Sequence, residues 1–132
     1  MTPSDFAELL REQGFRAKES VAGGRVAQIL SGSEGIECTI TFYPHQDGGS
    51  SLEEFSSFTL LCLSKMPDEN TVETLLTLNE STRYLKFYSK NNVMYIEMDV
   101  GIPSDKLDAE LAMRQFNLWI IGLSRAIKMA SE

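Results

Sequence analysis

Between positions 36 and 43 the chain alternates strictly. Ile36, Cys38, Ile40 and Phe42 are apolar, and Glu37, Thr39, Thr41 and Tyr43 stand between them. A period of two sends the first set to one side of a pleated strand and the second set to the other. A strand of this kind is covered on one side only, so the chain is expected to build a sheet with one buried face. Residues 25–30 and 55–63 read as strands on either side of it, separated by turn formers at Gly23-Gly24, at 31–35 and at 44–50. Three sequential strands with short connections make an antiparallel meander.

Helices frame the meander. Thr2-Pro3-Ser4-Asp5 supplies capping side chains and a first-turn proline, and Phe6, Leu9 and Leu10 follow at helical spacing up to a stop at Gly14. Met66-Pro67-Asp68 is expected to open a second helix with Val72, Leu75 and Leu76 on one face, ending between Asn79 and Thr82. A hairpin comes next. Asn91-Asn92 as a two-residue turn pairs Lys90 with Val93, which puts Phe87 opposite Ile96 and Leu85 opposite Met98 on an apolar face. On the other face the same register sets Tyr88 opposite Tyr95, Lys86 opposite Glu97 and Tyr84 opposite Asp99. Ser104 is the expected cap of a last helix over 105–129, whose Ala112, Met113, Phe116, Trp119, Ile120, Leu123 and Ile127 share one face. The expected fold is α+β, in the order α-β-β-β-α-β-β-α, with an antiparallel sheet packed against helices.

At 132 residues the chain suits one domain, 1–132, with its own core. Twelve Lys and Arg against 19 Asp and Glu leave a net charge of −7, which disfavours a phosphate backbone and hence nucleic-acid binding. The apolar runs 60–63 and 118–121 fall far short of the ~20 residues a membrane-spanning helix needs. The start of the chain has neither a basic region nor an apolar core of the signal-peptide kind, so a cytoplasmic protein is expected.

Catalytic chemistry finds little material. His45 lies in a turn-rich loop with no activated nucleophile beside it, and it reads as a solvated histidine. Cys38 and Cys62 lie within apolar strands, read as buried free thiols, and lack the short spacing of a zinc site. Glu97 and Asp99 share a strand face, but Lys86 across the hairpin makes an ion pair the simpler account of Glu97. No phosphate-cradling glycine motif occurs, and Asn79-Glu80-Ser81 matters as a glycosylation signal only in a secreted protein. No enzyme activity, cofactor or metal is expected.

Surplus apolar surface is the more informative feature. Tyr84, Tyr88 and Tyr95 gather on the outer face of the hairpin, where either a partner or another element of the same domain covers them. On the last helix Leu107, Leu111, Leu118 and Ile121 form a second stripe. Leu107 and Leu111 can still enter the core at a different angle; Leu118 and Ile121 cannot easily do so. These two together with the three tyrosines are the candidate protein-interaction residues, and a homodimer is expected to use them.

The stretch ETLLTLNESTRYLKFYSKNNVMYIEMD, Glu73 to Asp99, and the amphipathic helix around Phe116-Asn117-Leu118-Trp119 resemble the YbjN family. The element order resembles the wider class of type III secretion chaperone-like folds. The resemblance implies a bacterial regulator or sensory-transduction protein with no catalytic residues, similar in shape to chaperones that bind extended segments of partners. With a net acidic chain, a basic or amphipathic partner segment is expected, added to a sheet edge or laid in a helix-lined groove. The second expectation is a small-molecule-sensing domain with its pocket between the C-terminal helix and the sheet.

Overall fold

The computed structural model describes residues 1–33, 35–45, 53–66 and 71–130. Its elements are α1 (Pro3–Glu12), β1 (Arg16–Ala22), β2 (Arg25–Ser33), β3 (Ile36–Tyr43), β4 (Ser57–Lys65), α2 (Thr71–Ser81), β5 (Lys86–Lys90), β6 (Val93–Val100) and α3 (Ala109–Ala130). The α+β class and the expected order hold, with β1 as an additional strand ahead of the expected three. All pairs are antiparallel and the sheet order is β1-β2-β3-β4-β6-β5. The chain leaves β4 through α2, enters the far edge as β5, and turns back to lay β6 beside β4.

β1 carries no apolar alternation and is held by its neighbour. Gly23 and Gly24 take φ of 62° and 77°, the doubly positive turn that matches strand twist, and β2 then pairs along β1 from Arg25 to Gly32. A bulge between Ser20 and Val21 breaks the register once. At the other end, Asn91 and Asn92 adopt φ of 54° and 63°, and the pairs Lys90 with Val93, Tyr88 with Tyr95, Phe87 with Ile96 and Lys86 with Glu97 all form as expected. Tyr84 does not join them. It precedes β5 with φ 72°, so its expected pairing with Asp99 is absent, and so is that of Leu85 with Met98, because β5 begins at Lys86.

The helix termini follow local chemistry. Thr2 Oγ1 accepts from the Asp5 amide and Asp5 Oδ2 accepts from the Thr2 amide, both at 3.0 Å, closing a capping box around Pro3. Ser104, the expected cap of the last helix, has another task. Its Oγ accepts from the Phe55 amide at 3.1 Å and its own amide donates to the Phe55 carbonyl at 2.9 Å, which ties the segment before α3 to the start of β4. Asp108 caps α3 instead, its Oδ1 accepting from the Leu111 amide at 2.8 Å. Pro67 and Asp68, the expected start of α2, lie outside the described residues. Within α2, Val72 and Leu76 are exposed and Leu78 is buried, so the inward face is rotated from the expected one.

All three helices cover the same side of the sheet. Phe6 of α1 meets Phe42 and Phe58 edge-on at 6.1 and 5.5 Å, and Phe15 meets Phe116 of α3 at 4.9 Å. Leu85 lies under Gly122, where a Cβ would approach its Cδ1 to 2.8 Å, so a glycine lets α3 settle at that point. Ile40, Leu60 and Ile96 pave the sheet side of the core, and Phe116, Trp119 and Leu123 pave the α3 side, all with no more than 1% exposure. Each such side chain contributes on the order of 1.5–3 kcal/mol by leaving water.

Candidate functional site

The buried face explains the opposite one. Since Ile40, Leu60, Ile96 and Phe87 point to the helices, the alternate residues of the same strands point away, where no described helix packs. Register defines one cross-strand row as Lys18, Leu30, Thr39, Leu61, Glu97 and Lys86. A neighbouring row runs Leu63, Tyr95, Tyr88. Leu30 is 48% exposed and Leu63 54%, in the middle strands of a sheet where aliphatic residues ordinarily find cover.

Tyr88 and Tyr95 meet on this open face as a stacked pair, centroids 5.0 Å apart and planes inclined by 19°. Tyr88 Oη donates to Glu97 Oε1 at 2.5 Å, and that hydrogen bond to the carboxylate pushes the Tyr88 hydroxyl up to about 12. Lys86 Nζ lies 3.1 Å from Glu97 and 3.5 Å from Asp99, whose Oδ1 accepts from Thr59 Oγ1 at 2.8 Å. The hydrogen bond to Glu97, helped by the charge of Asp99, raises the Lys86 ammonium above its ordinary value. The polar side of the hairpin is therefore a closed network, with both carboxylates engaged. Tyr84 stands apart, 62% exposed, with the Arg83 guanidinium 5.4 Å above its ring.

Leu118 and Ile121 lie on the other side of the molecule. They line a groove of about 620 Å³ between α1 and α3, with Leu9, Met113 and Arg114 among its walls. Leu118 is half-buried against the core and Ile121 is 53% exposed. The five candidate residues thus fall on three separate surfaces: the tyrosine stack, the lone Tyr84 and the helical groove. Leu107 is buried and Leu111 half-buried, as their alternative reading allowed.

A second groove, of about 660 Å³, opens where β1 and β2 meet the open face. Leu30, Leu61 and Leu63 line it with Arg16 and Lys18. Sequence reasoning passed over these residues, although a signal was present. Leu60-Leu61-Cys62-Leu63 is apolar without alternation, and on a strand such a run places aliphatic side chains on both faces. Arg16 gains its place from Gly32, where a Cβ would come within 2.6 Å of the guanidinium.

The space between α3 and the sheet, where a ligand pocket was the second expectation, holds Phe116, Trp119 and Leu123, all fully buried. Among the described residues Trp119 Nε1 has no partner at hydrogen-bond distance, and the Cys38 thiol is its polar neighbour. Burial pushes that thiol up to about 11, against the smaller opposing influence of the indole N–H, and burial raises Cys62 as well. Both cysteines are free, buried and poorly suited to act as nucleophiles. Among the described residues no group of three or more His, Cys, Asp or Glu is placed to hold a metal ion, and no helix is long and apolar enough to cross a membrane.

Over residues 2–132 the chain matches the family model of YbjN, described as "Putative bacterial sensory transduction regulator". No curated protein and no solved structure matches the chain.

Proposed function

Because the chain belongs to the YbjN family of bacterial regulators, we propose that it is a non-enzymatic, chaperone-like regulatory protein that acts in the cytoplasm by binding another protein. The uncovered sheet face carries this reading: Leu30, Leu63 and the Tyr88–Tyr95 stack give it the aliphatic and aromatic character typical of interface cores. A sheet roofed by helices on one side leaves its other face open, and a partner segment laid across it would cover what the fold leaves in water. Residues 1–132 act as one domain in this reading. The groove holding Leu118 and Ile121 is the surface assigned to a homodimer.

The test is a photo-crosslinking amino acid placed at Leu63 in one variant and at Ile121 in another, each expressed in the native host. Adducts to a second kind of protein from position 63, and self-adducts from position 121, are the expected result. Absence of any heterologous adduct from position 63 removes the protein-binding reading; absence of self-adducts from position 121 removes the dimer assignment alone.

A further inference from the structure

The open face reverses the charge of the molecule. The chain as a whole carries 12 Lys and Arg against 19 Asp and Glu. Among the described residues, the register places Arg16, Lys18, Lys65, Lys86 and Lys90 on the open face, against Glu37, Glu97 and Asp99. Glu97 and Asp99 are already bound to Lys86, Tyr88 and Thr59, so Glu37, which lines the groove in the same register row as Arg16, is the carboxylate of this face left outside that network, against Arg16 and Lys18. Arg16 and Lys18 make no ion pair among the described residues, and they border the groove of about 660 Å³ beside Leu30, Leu61 and Leu63.

We propose that this groove binds an acidic, apolar peptide segment of a partner protein, with Arg16 and Lys18 pairing its carboxylates and Leu30, Leu61 and Leu63 receiving its apolar side chains. The inference rests on the protein-binding reading and fixes the sign of the partner, which is opposite to the one the net charge of −7 suggests. Unpaired cations beside an exposed aliphatic floor favour a ligand that brings both carboxylates and hydrocarbon, since either alone leaves half of the surface unmatched. The rest of the chain, with its excess of carboxylates, repels the same segment and so confines it to this face.

The test is selection of random twelve-residue peptides, displayed on phage, against the immobilised full chain. Enriched peptides are expected to be net acidic with interspersed Leu, Ile, Val or aromatic residues. Their binding should weaken as salt rises and should fall about tenfold or more in Arg16→Glu/Lys18→Glu, a variant with both changes at exposed sites. Leu63→Ser, also at an exposed site, should weaken the same peptides, and circular dichroism of both variants should match the parent. Enrichment of basic peptides that Leu63→Ser weakens overturns the acidic assignment while leaving the protein-binding reading in place. Enrichment that only a change at Ile121 weakens moves the partner to the α1–α3 groove and overturns the inference. No enrichment overturns it as well, and in that case two further measurements identify the occupant. Dissociation of a dimer by Arg16→Glu/Lys18→Glu would assign the face to a second copy of the chain; cosedimentation with phosphatidylglycerol vesicles, abolished by the same changes, would assign it to an anionic membrane surface.

Discussion

Tyr88 and Trp119 show how differently two aromatic side chains are held. Tyr88 stacks on Tyr95 at the surface and donates a hydrogen bond to Glu97, so its hydroxyl ionises only near 12 in the folded protein. The ordinary value is about 10, so the unfolded chain gives up that proton first. The contribution to stability is therefore complete below about pH 10 and is lost as pH rises towards 12. Chemical denaturation at stepped pH should show a steeper loss of stability over this window in the parent than in Tyr88→Phe. Equal slopes would mean that the Tyr88–Glu97 bond is not formed in solution. Trp119 sits at the centre of the core instead, and Trp119→Ala should cost on the order of 3–5 kcal/mol, the scale for truncating a buried aromatic. A denaturation midpoint that hardly moves would place it at the surface.

Among the elements, α2 and β5 are joined by one side chain. Asn79 Nδ2 donates to the Phe87 carbonyl at 3.0 Å and Asn79 Oδ1 accepts from the Phe87 amide at 2.9 Å, so an amide side chain imitates a neighbouring strand on the outer edge of the sheet. The edge is thereby shielded from strand addition at that residue. Asn79→Ala should cost roughly 1–3 kcal/mol and speed hydrogen exchange at the Phe87 amide while leaving the Leu60 amide protected. Unchanged exchange at Phe87 would show that α2 does not depend on Asn79. No local pattern reveals this contact, because its partner lies beyond the helix terminus and the residue types around Asn79 spell only a glycosylation triplet. Where the signal was local it was readable: Asn91-Asn92 set the hairpin register, and the alternation of β3 announced a sheet with one covered face. β1 was missed because RAKESVA has no apolar period and becomes a strand only through β2. Ser104 and Tyr84 were misplaced for the same kind of reason: a long-range bond to Phe55 outweighed capping in one, and a left-handed backbone ended the strand pairing in the other.

For the molecule as a whole, three helices on one side of a six-stranded sheet give two unlike surfaces, and assembly should treat them differently. Sedimentation of the parent at tens of micromolar is expected to give a dimer mass, and Ile121→Glu should lower it to a monomer with an unchanged circular dichroism spectrum, since Ile121 is exposed beside a groove and not enclosed in the core. A parent that sediments as a monomer removes the dimer. The interaction surfaces were only partly legible for a related reason: Leu118, Ile121, Tyr88 and Tyr95 stand out by residue type, whereas the cationic groove draws Arg16, Lys18, Leu30 and Leu61 from three strands and exists only once the sheet is paired. The seam between the two layers also has an optical consequence. Trp119 is the only tryptophan in the chain, and the thiol of Cys38 is its polar neighbour in the core. Sulfur in contact with an excited indole quenches its emission, so the native protein should be dim and blue-shifted, Cys38→Ala should brighten it without shifting it, and separation of helix from sheet should register as a single red-shifted gain in light.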